Sequence, residues 1–318
     1  MRYFLAVLAC TFSLNIPAAV TAAELFPNLS SLTEANIRDA AIAFVNMTTS
    51  PGLEGAVISV DNNERTSDQF RSSLGFNAEF TLQDYVFNGY WGLALSGGRL
   101  EDKISLTDDN GQPLLLNLTR DVIALRGSLG LSFPLDQHFK LRPYLSLIVS
   151  DLKSKTVLDG QYVIDNNLPS NTFRTSAQMW STIASLDAAY NRWFDEYQLS
   201  MVGEYNRIYT ESFSTDSPAL DSEDWNDSLI IKGIIRGPTD WIYAGRPWRW
   251  NTYAIYTNFL SHDKKSLGYK SLIEVGAGTD WQINLKPLDW FGWEYIGFKA
   301  GLIFGDNVRG YSVGLTAR

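Results

Sequence analysis

The sequence predicts an all-β protein, a 12-stranded antiparallel transmembrane β-barrel with one short N-terminal helix in its lumen. Three observations predict it. The first is alternation. In the segment 71–82, Leu74, Phe76, Ala78, Phe80 and Leu82 are apolar, whereas Ser73, Gly75, Asn77, Glu79 and Thr81 are small, polar or charged. Side chains alternate across a strand, so this segment has one apolar and one wet face. The second is length. Strand-like segments follow Gly52 at about 54–61, 70–82, 85–99, 119–133, 140–152, 178–194, 196–211, 226–237, 248–260, 267–283, 291–305 and 308–318. Most exceed the ~5–6 residues of an average soluble strand and suit a tilted bilayer crossing of about 9–11 residues. The third is the rhythm of the connections. Those at 82–85, 133–140 and 194–196 are short, and those at 61–70, 99–119, 152–178 and 211–226 are longer and polar. Short turns at one end and long polar loops at the other characterise an up-and-down membrane barrel. "GPTDWIYAGRPW" is long for the short end and "SHDKKSL" short for the long end, so these two connections fit less well. On this reading the apolar face meets lipid and the wet face lines a lumen.

The elements follow in order. Residues 1–23 read as a secretory signal peptide, with Arg2 at the start, an apolar run, and small residues ending at Ala22-Ala23. Cys10, the one cysteine, lies inside it, so no disulfide or thiol nucleophile is expected in the mature chain. Residues 24–51 form an N-terminal segment and helix. Ser31 and Glu34 fit a capping box, Leu32, Ile37, Ala41, Phe44 and Val45 follow helical spacing, and Pro51-Gly52 ends the helix. An isolated helix of this length is marginal in water, so it needs the lumen to pack against. Residues 52–318 are the barrel. Within it, Ile123, Leu125, Leu129, Leu131 and Phe133 oppose Arg126, Ser128, Gly130 and Ser132. Further along, Tyr269, Ile273, Val275, Ala277 and Trp281 oppose Lys270, Glu274, Gly276, Gly278 and Asp280. Ile148, Val202 and Leu272 break the pattern. Aromatics near strand ends, among them Tyr85, Phe87, Phe133, Tyr144, Trp180, Trp193, Phe194, Trp248, Trp250, Trp281 and Trp293, suit the two lipid–water interfaces.

The charge balance limits the partners. Lys and Arg number 26 against 35 Asp and Glu, a formal net charge of −9. Such acidity argues against nucleic acid, which wants clustered cations. The partners expected are outer-membrane lipid, lipopolysaccharide and the β-barrel assembly machinery, with the chain a monomer. The charges on wet faces, Glu79, Arg126, Arg142, Glu204, Lys232, Arg236, Lys270, Glu274, Asp280 and Lys299, are the lumen-facing candidates. Their mixed signs suggest cross-barrel ion pairs and bound water rather than a single-sign filter.

Little in the sequence carries catalysis. Of the two histidines, His138 falls in a short turn and His262 in a surface loop. Ser261-His262-Asp263 has the residue types of a membrane hydrolase, but adjacent strand residues point to opposite faces and need not converge. "DDNGQP" at Asp108–Pro113 starts like a calcium loop but lacks its later Glu, and reads as a turn. No enzyme activity, cofactor or metal is expected.

The capped helix "SLTEANIRDAAIAFV", the segment "LRPYLSL" and the closing hairpin "FKAGLIFGDNVRGYSVGLTAR" together resemble the translocator barrel of autotransporters. The resemblance implies a helix inside the barrel, outer-membrane residence after Sec-type export in a Gram-negative cell, and a barrel that helps a passenger to the surface. The short stretch 24–30 between leader and helix departs from that layout. So does the end of the chain on Arg318 instead of an aromatic residue. The function expected is therefore a solitary, passenger-free barrel, structural or weakly pore-forming. A substrate-specific channel and a surface hydrolase are the alternatives.

Overall fold

In the computed structural model, which describes residues 42–46, 53–61, 65–107, 113–159, 172–216, 221–261, 268–283 and 295–317, the alternation resolves into twelve strands. They are β1 (Leu53–Asp61), β2 (Arg65–Thr81), β3 (Asn88–Thr107), β4 (Pro113–Pro134), β5 (Phe139–Asp159) and β6 (Thr172–Phe194). Then come β7 (Tyr197–Thr215), β8 (Glu223–Tyr243), β9 (Arg246–Phe259), β10 (Ser271–Gln282), β11 (Tyr295–Gly305) and β12 (Val308–Ala317). Each pairs antiparallel with the next, and β12 closes on β1, Leu53 opposite Leu315 and Val60 opposite Val308. Closure leaves no unpaired sheet edge, as a bilayer requires. The expected signal peptide with Cys10 and the capping box at Ser31 and Glu34 lie outside the described residues. Of the expected helix, residues 42–46 are described and are helical.

β1 starts and β12 ends at one rim, where β10 also ends and β11 starts and which carries the connections 82–87, 135–138, 195–196 and 244–245; the opposite rim is the distal one. Several expected loops prove to be strand. β3 and β4 stay paired from Glu101↔Thr119 to Thr107↔Pro113, inside the stretch read as a loop at 99–119. The cause is chemical. The outward residues there are Arg99, Glu101, Lys103 and Asp121, so apolar alternation stops where lipid stops while the hydrogen-bonded ladder runs on. Strand lengths show the same asymmetry, from 23 residues in β6 to 9 in β1. "GPTDWIYAGRPW" is likewise two strands meeting at Ala244 (φ 50°) and Gly245 (φ 75°), the paired positive φ of a tight hairpin turn. Pro238, which cannot donate to the ladder, marks the register shift before that turn.

The outer face carries the lipid belt. On β4 it runs from Phe133 through Leu131, Leu129 and Leu125 to Ile123, the four aliphatics being 37–71% exposed. Above it Asp121 pairs with Arg99 at 2.7 Å. About ten residues at ~3.3 Å each, tilted by about 40°, rise about 25 Å, the height of a barrel's apolar band. Aromatic rings edge the belt at both ends. Tyr85, Phe87 and Phe133 make contacts of 5.1 and 5.4 Å at the terminal rim. Trp180, Tyr209 and Trp225 make contacts of 5.3 and 4.9 Å on the distal side. Tyr144 corrects the sequence reading. It sits on the inward parity of β5, 6% exposed, against Tyr90.

The even strand number gives a direct check on orientation. With Cys10 replaced by Ser, single cysteines at Gln137 and Asp221 report on opposite rims. On intact cells a membrane-impermeant maleimide should label Asp221→Cys and spare Gln137→Cys; the reverse pattern would overturn the strand parity.

Candidate functional site

The lumen is divided along its axis. In the distal half it is apolar. Ile58 and Val60 of β1, Leu100 of β3, Leu152 of β5, Met179 of β6 and Ile303 of β11 converge on Ala43, Phe44 and Val45 of the helical turn 42–46. Phe44 and Val45 are fully buried. Thr210 Oγ1 donates to Asn46 Oδ1 at 3.4 Å, fixing the end of the turn nearest the polar half. Ala124, Ile148, Ile183 and Ile208 extend the apolar lining across β4 to β7. This accounts for the breaks in alternation. Leu272 sits on the inward parity in the cluster that holds the plug, and Ile148 in the second apolar cluster with Ala124, Ile183 and Ile208. One buried ion pair lies among them, Arg120 to Asp102 at 3.0 Å, with Ser67 also bonded to Asp102.

The half toward the chain ends is polar and cross-braced. Glu79 accepts from Lys140 Nζ at 3.0 Å and Arg142 Nη1 at 3.3 Å. Arg142 Nη2 reaches Asp187 at 2.6 Å, and its guanidinium stacks 4.9 Å from the Tyr90 ring. Arg126 donates to Ser146 at 3.1 Å. Arg236 meets Asp280 at 3.3 Å, and Thr316 donates to the same carboxylate at 2.5 Å. Lys299 bonds Glu54 at 2.5 Å, with Arg71 3.9 Å from that carboxylate. Glu274 accepts from Tyr253 Oη at 2.9 Å and Ser312 Oγ at 2.6 Å. Tyr253 can cross the lumen wall because Gly276 and Gly301 lie beneath it. A Cβ at either would come within 2.5 Å of its hydroxyl oxygen. Asn206 donates to Glu204 at 2.8 Å.

Nine of the ten candidate charges thus sit on the lumen side. Lys270 is the correction. It is exposed and precedes β10, its carbonyl accepting from Phe259 N–H at 3.0 Å. The turn at Gly268 (φ 84°) ends the alternation there and tucks Tyr269 inward, where its hydroxyl donates to Gln69 at 3.0 Å. Sequence reasoning missed Glu54, Arg71, Asp102, Arg120, Lys140 and Asp187. Parity marked Arg71 and Asp187 as inward, whereas Asp102 and Arg120 lay at or beyond the expected strand ends.

The catalytic alternatives find no assembled site among the described residues. His138 N–H and Phe139 N–H donate to Asp136 Oδ1 at 2.6 and 2.8 Å, which holds that rim carboxyl below the usual carboxylate range. His138 thus belongs to a capped turn. Ser261 Oγ donates to Asp227 Oδ2 at 3.0 Å, and His262 and Asp263 lie outside the described residues. So do residues 108–112.

Between the plug and the polar braces lies a cavity of about 460 Å³, bounded by Asn46, Ile183, Ile208, Phe259, Leu272, Lys232 and Glu204 among others. A closed barrel with an apolar belt, two aromatic edges and an occluded lumen is a membrane-spanning β-barrel of the outer-membrane type. Its fold is that of the translocator domain of the autotransporter NalP from Neisseria meningitidis, with a TM-score of 0.51 at 13% identity, covering 94% of this chain and 100% of that one. Also similar are the β domain of the Bordetella autotransporter BrkA (TM-score 0.49, 12% identity, 83% of this chain and 97% of that) and the transport unit of AIDA-I from Escherichia coli (0.49, 10%, 90% and 98%). No protein-family model and no curated protein matches the sequence. The likeness expected from the capped helix and the closing hairpin is thus found at the level of fold.

Proposed function

We propose that this chain resides in the outer membrane as a plugged barrel, structural or weakly conducting, rather than as the exporter of a passenger. One observation carries the reading. The distal lumen is filled by Phe44 and Val45 packed against side chains of the wall itself, Leu100, Leu152 and Met179. Passage of a chain or a hydrated solute requires that packing to come apart. Cross-braces such as Arg142 between Glu79 and Asp187 stiffen the remaining wall. Export by a Sec-type route, insertion by the assembly machinery and a monomer embedded among lipid and lipopolysaccharide complete the proposal. No catalytic role is assigned, since Ser261 is engaged by Asp227.

The test is twofold. Purified protein should migrate faster unheated than boiled on detergent gels, as a folded barrel does. In planar bilayers it should conduct weakly and without steep ion selectivity, because both signs line the lumen. Heat-insensitive migration would remove the barrel, and a large steady conductance from the intact chain would remove the plug.

A further inference from the structure

Every carboxylate of the lumenal chamber already holds a donor. Glu54 has Lys299, Glu274 has Tyr253 and Ser312, and Glu204 has Asn206. Asp280, on the lumen side but outside the chamber lining, holds Arg236. Asp227 is engaged on the outer side by Tyr205 at 2.6 Å and by Ser261. Lys232, on the inward parity of β8, lines the chamber and makes no hydrogen bond or ion pair with any described residue. Four charged groups reach it only through space, the cations Lys299 and Arg236 and the carboxylates Glu54 and Glu274.

The immediate neighbours of Lys232 on the sheet are apolar. Ile230 and Ile234 flank it two residues away on the same face, and Ile255 and Val202 are its register partners on β9 and β7. Ile230, Ile234 and Ile255 line the same cavity. An ammonium carries three donors, and leaving it beside four aliphatic side chains without an acceptor is unfavourable. A hydrated inorganic ion would gain nothing from those side chains. A small molecule with one carboxylate and an apolar body would satisfy both. The cavity volume falls in the range of about 300–1,000 Å³ typical of small-molecule sites.

We infer that the chamber is a binding site for a small amphiphilic carboxylate, its anionic head on Lys232 and its body against Ile230, Ile234 and Ile255. The inference depends on the barrel fold and not on whether the barrel conducts.

The test uses the full-length folded protein in nanodiscs and 4-(trifluoromethyl)benzoate as the probe, followed by fluorine NMR line broadening. Empty nanodiscs correct for partition into lipid. Saturable binding is expected, and 4-(trifluoromethyl)benzyl alcohol, which keeps the body and lacks the charge, should bind at least about tenfold more weakly. Lys232→Met should weaken the benzoate by a similar factor while Lys232→Arg retains most of it. Lys153→Met, on the outer face, should change nothing. Gel heat-modifiability confirms that each variant is folded. Absence of saturable binding to the native protein, or equal binding of acid and alcohol, overturns the inference without any variant. Undiminished binding by folded Lys232→Met overturns it as well.

Discussion

Deleting residues 30–48 is expected to raise the conductance of the barrel in planar bilayers well above that of the intact protein. The segment contains the helical turn whose Phe44 and Val45 are fully buried in the distal lumen. Without them the apolar walls face each other across water. The pore should stay narrower than an open porin, because Leu152, Met179 and Tyr269 still project inward. A milder version is Phe44→Ala. Truncating a buried Phe costs about 3–5 kcal/mol in packed cores, and here that loss falls on the docking of the plug. The variant should flicker between closed and open levels more often than the native chain. Conductance indistinguishable among the three proteins would show that the turn does not occlude the path.

The second large effect concerns the outer face. Leu129 is 71% exposed, mid-belt on β4 between Phe133 and the Asp121–Arg99 pair. Leu129→Arg places a guanidinium in hydrocarbon and should destabilise the barrel by about 2–4 kcal/mol, measured as reversible denaturant unfolding in lipid vesicles. Asn77→Arg, at a residue lining the water-accessible chamber, should cost distinctly less. The contrast matters more than either value, since both substitutions introduce the same side chain and the same charge. Equal losses at Leu129 and Asn77 would mean that the faces are assigned backwards.

Much of this protein was legible before any tertiary structure. Strand count, strand parity and the outward set Leu125, Leu129, Ile273 and Val275 follow from a period of two and the length of a bilayer crossing. Local chemistry suffices there, because lipid on one side and water on the other sort residues one at a time. Which charges meet was not legible. Lys299 and Glu54 lie on β11 and β1, and Arg236 and Asp280 on β8 and β10; each pair is made by closure of the sheet and by register across strands far apart in sequence. Nor could alternation show that the lumen is apolar at one end and polar at the other. Ile148 and Leu272 looked like faults in the pattern, and only closure of the barrel makes them part of a core, Leu272 with the helical turn and Ile148 with Ala124, Ile183 and Ile208. The same holds for Lys232. The sequence by itself places it inward, whereas its lack of a partner among the described residues and its aliphatic neighbours are properties of the closed barrel alone.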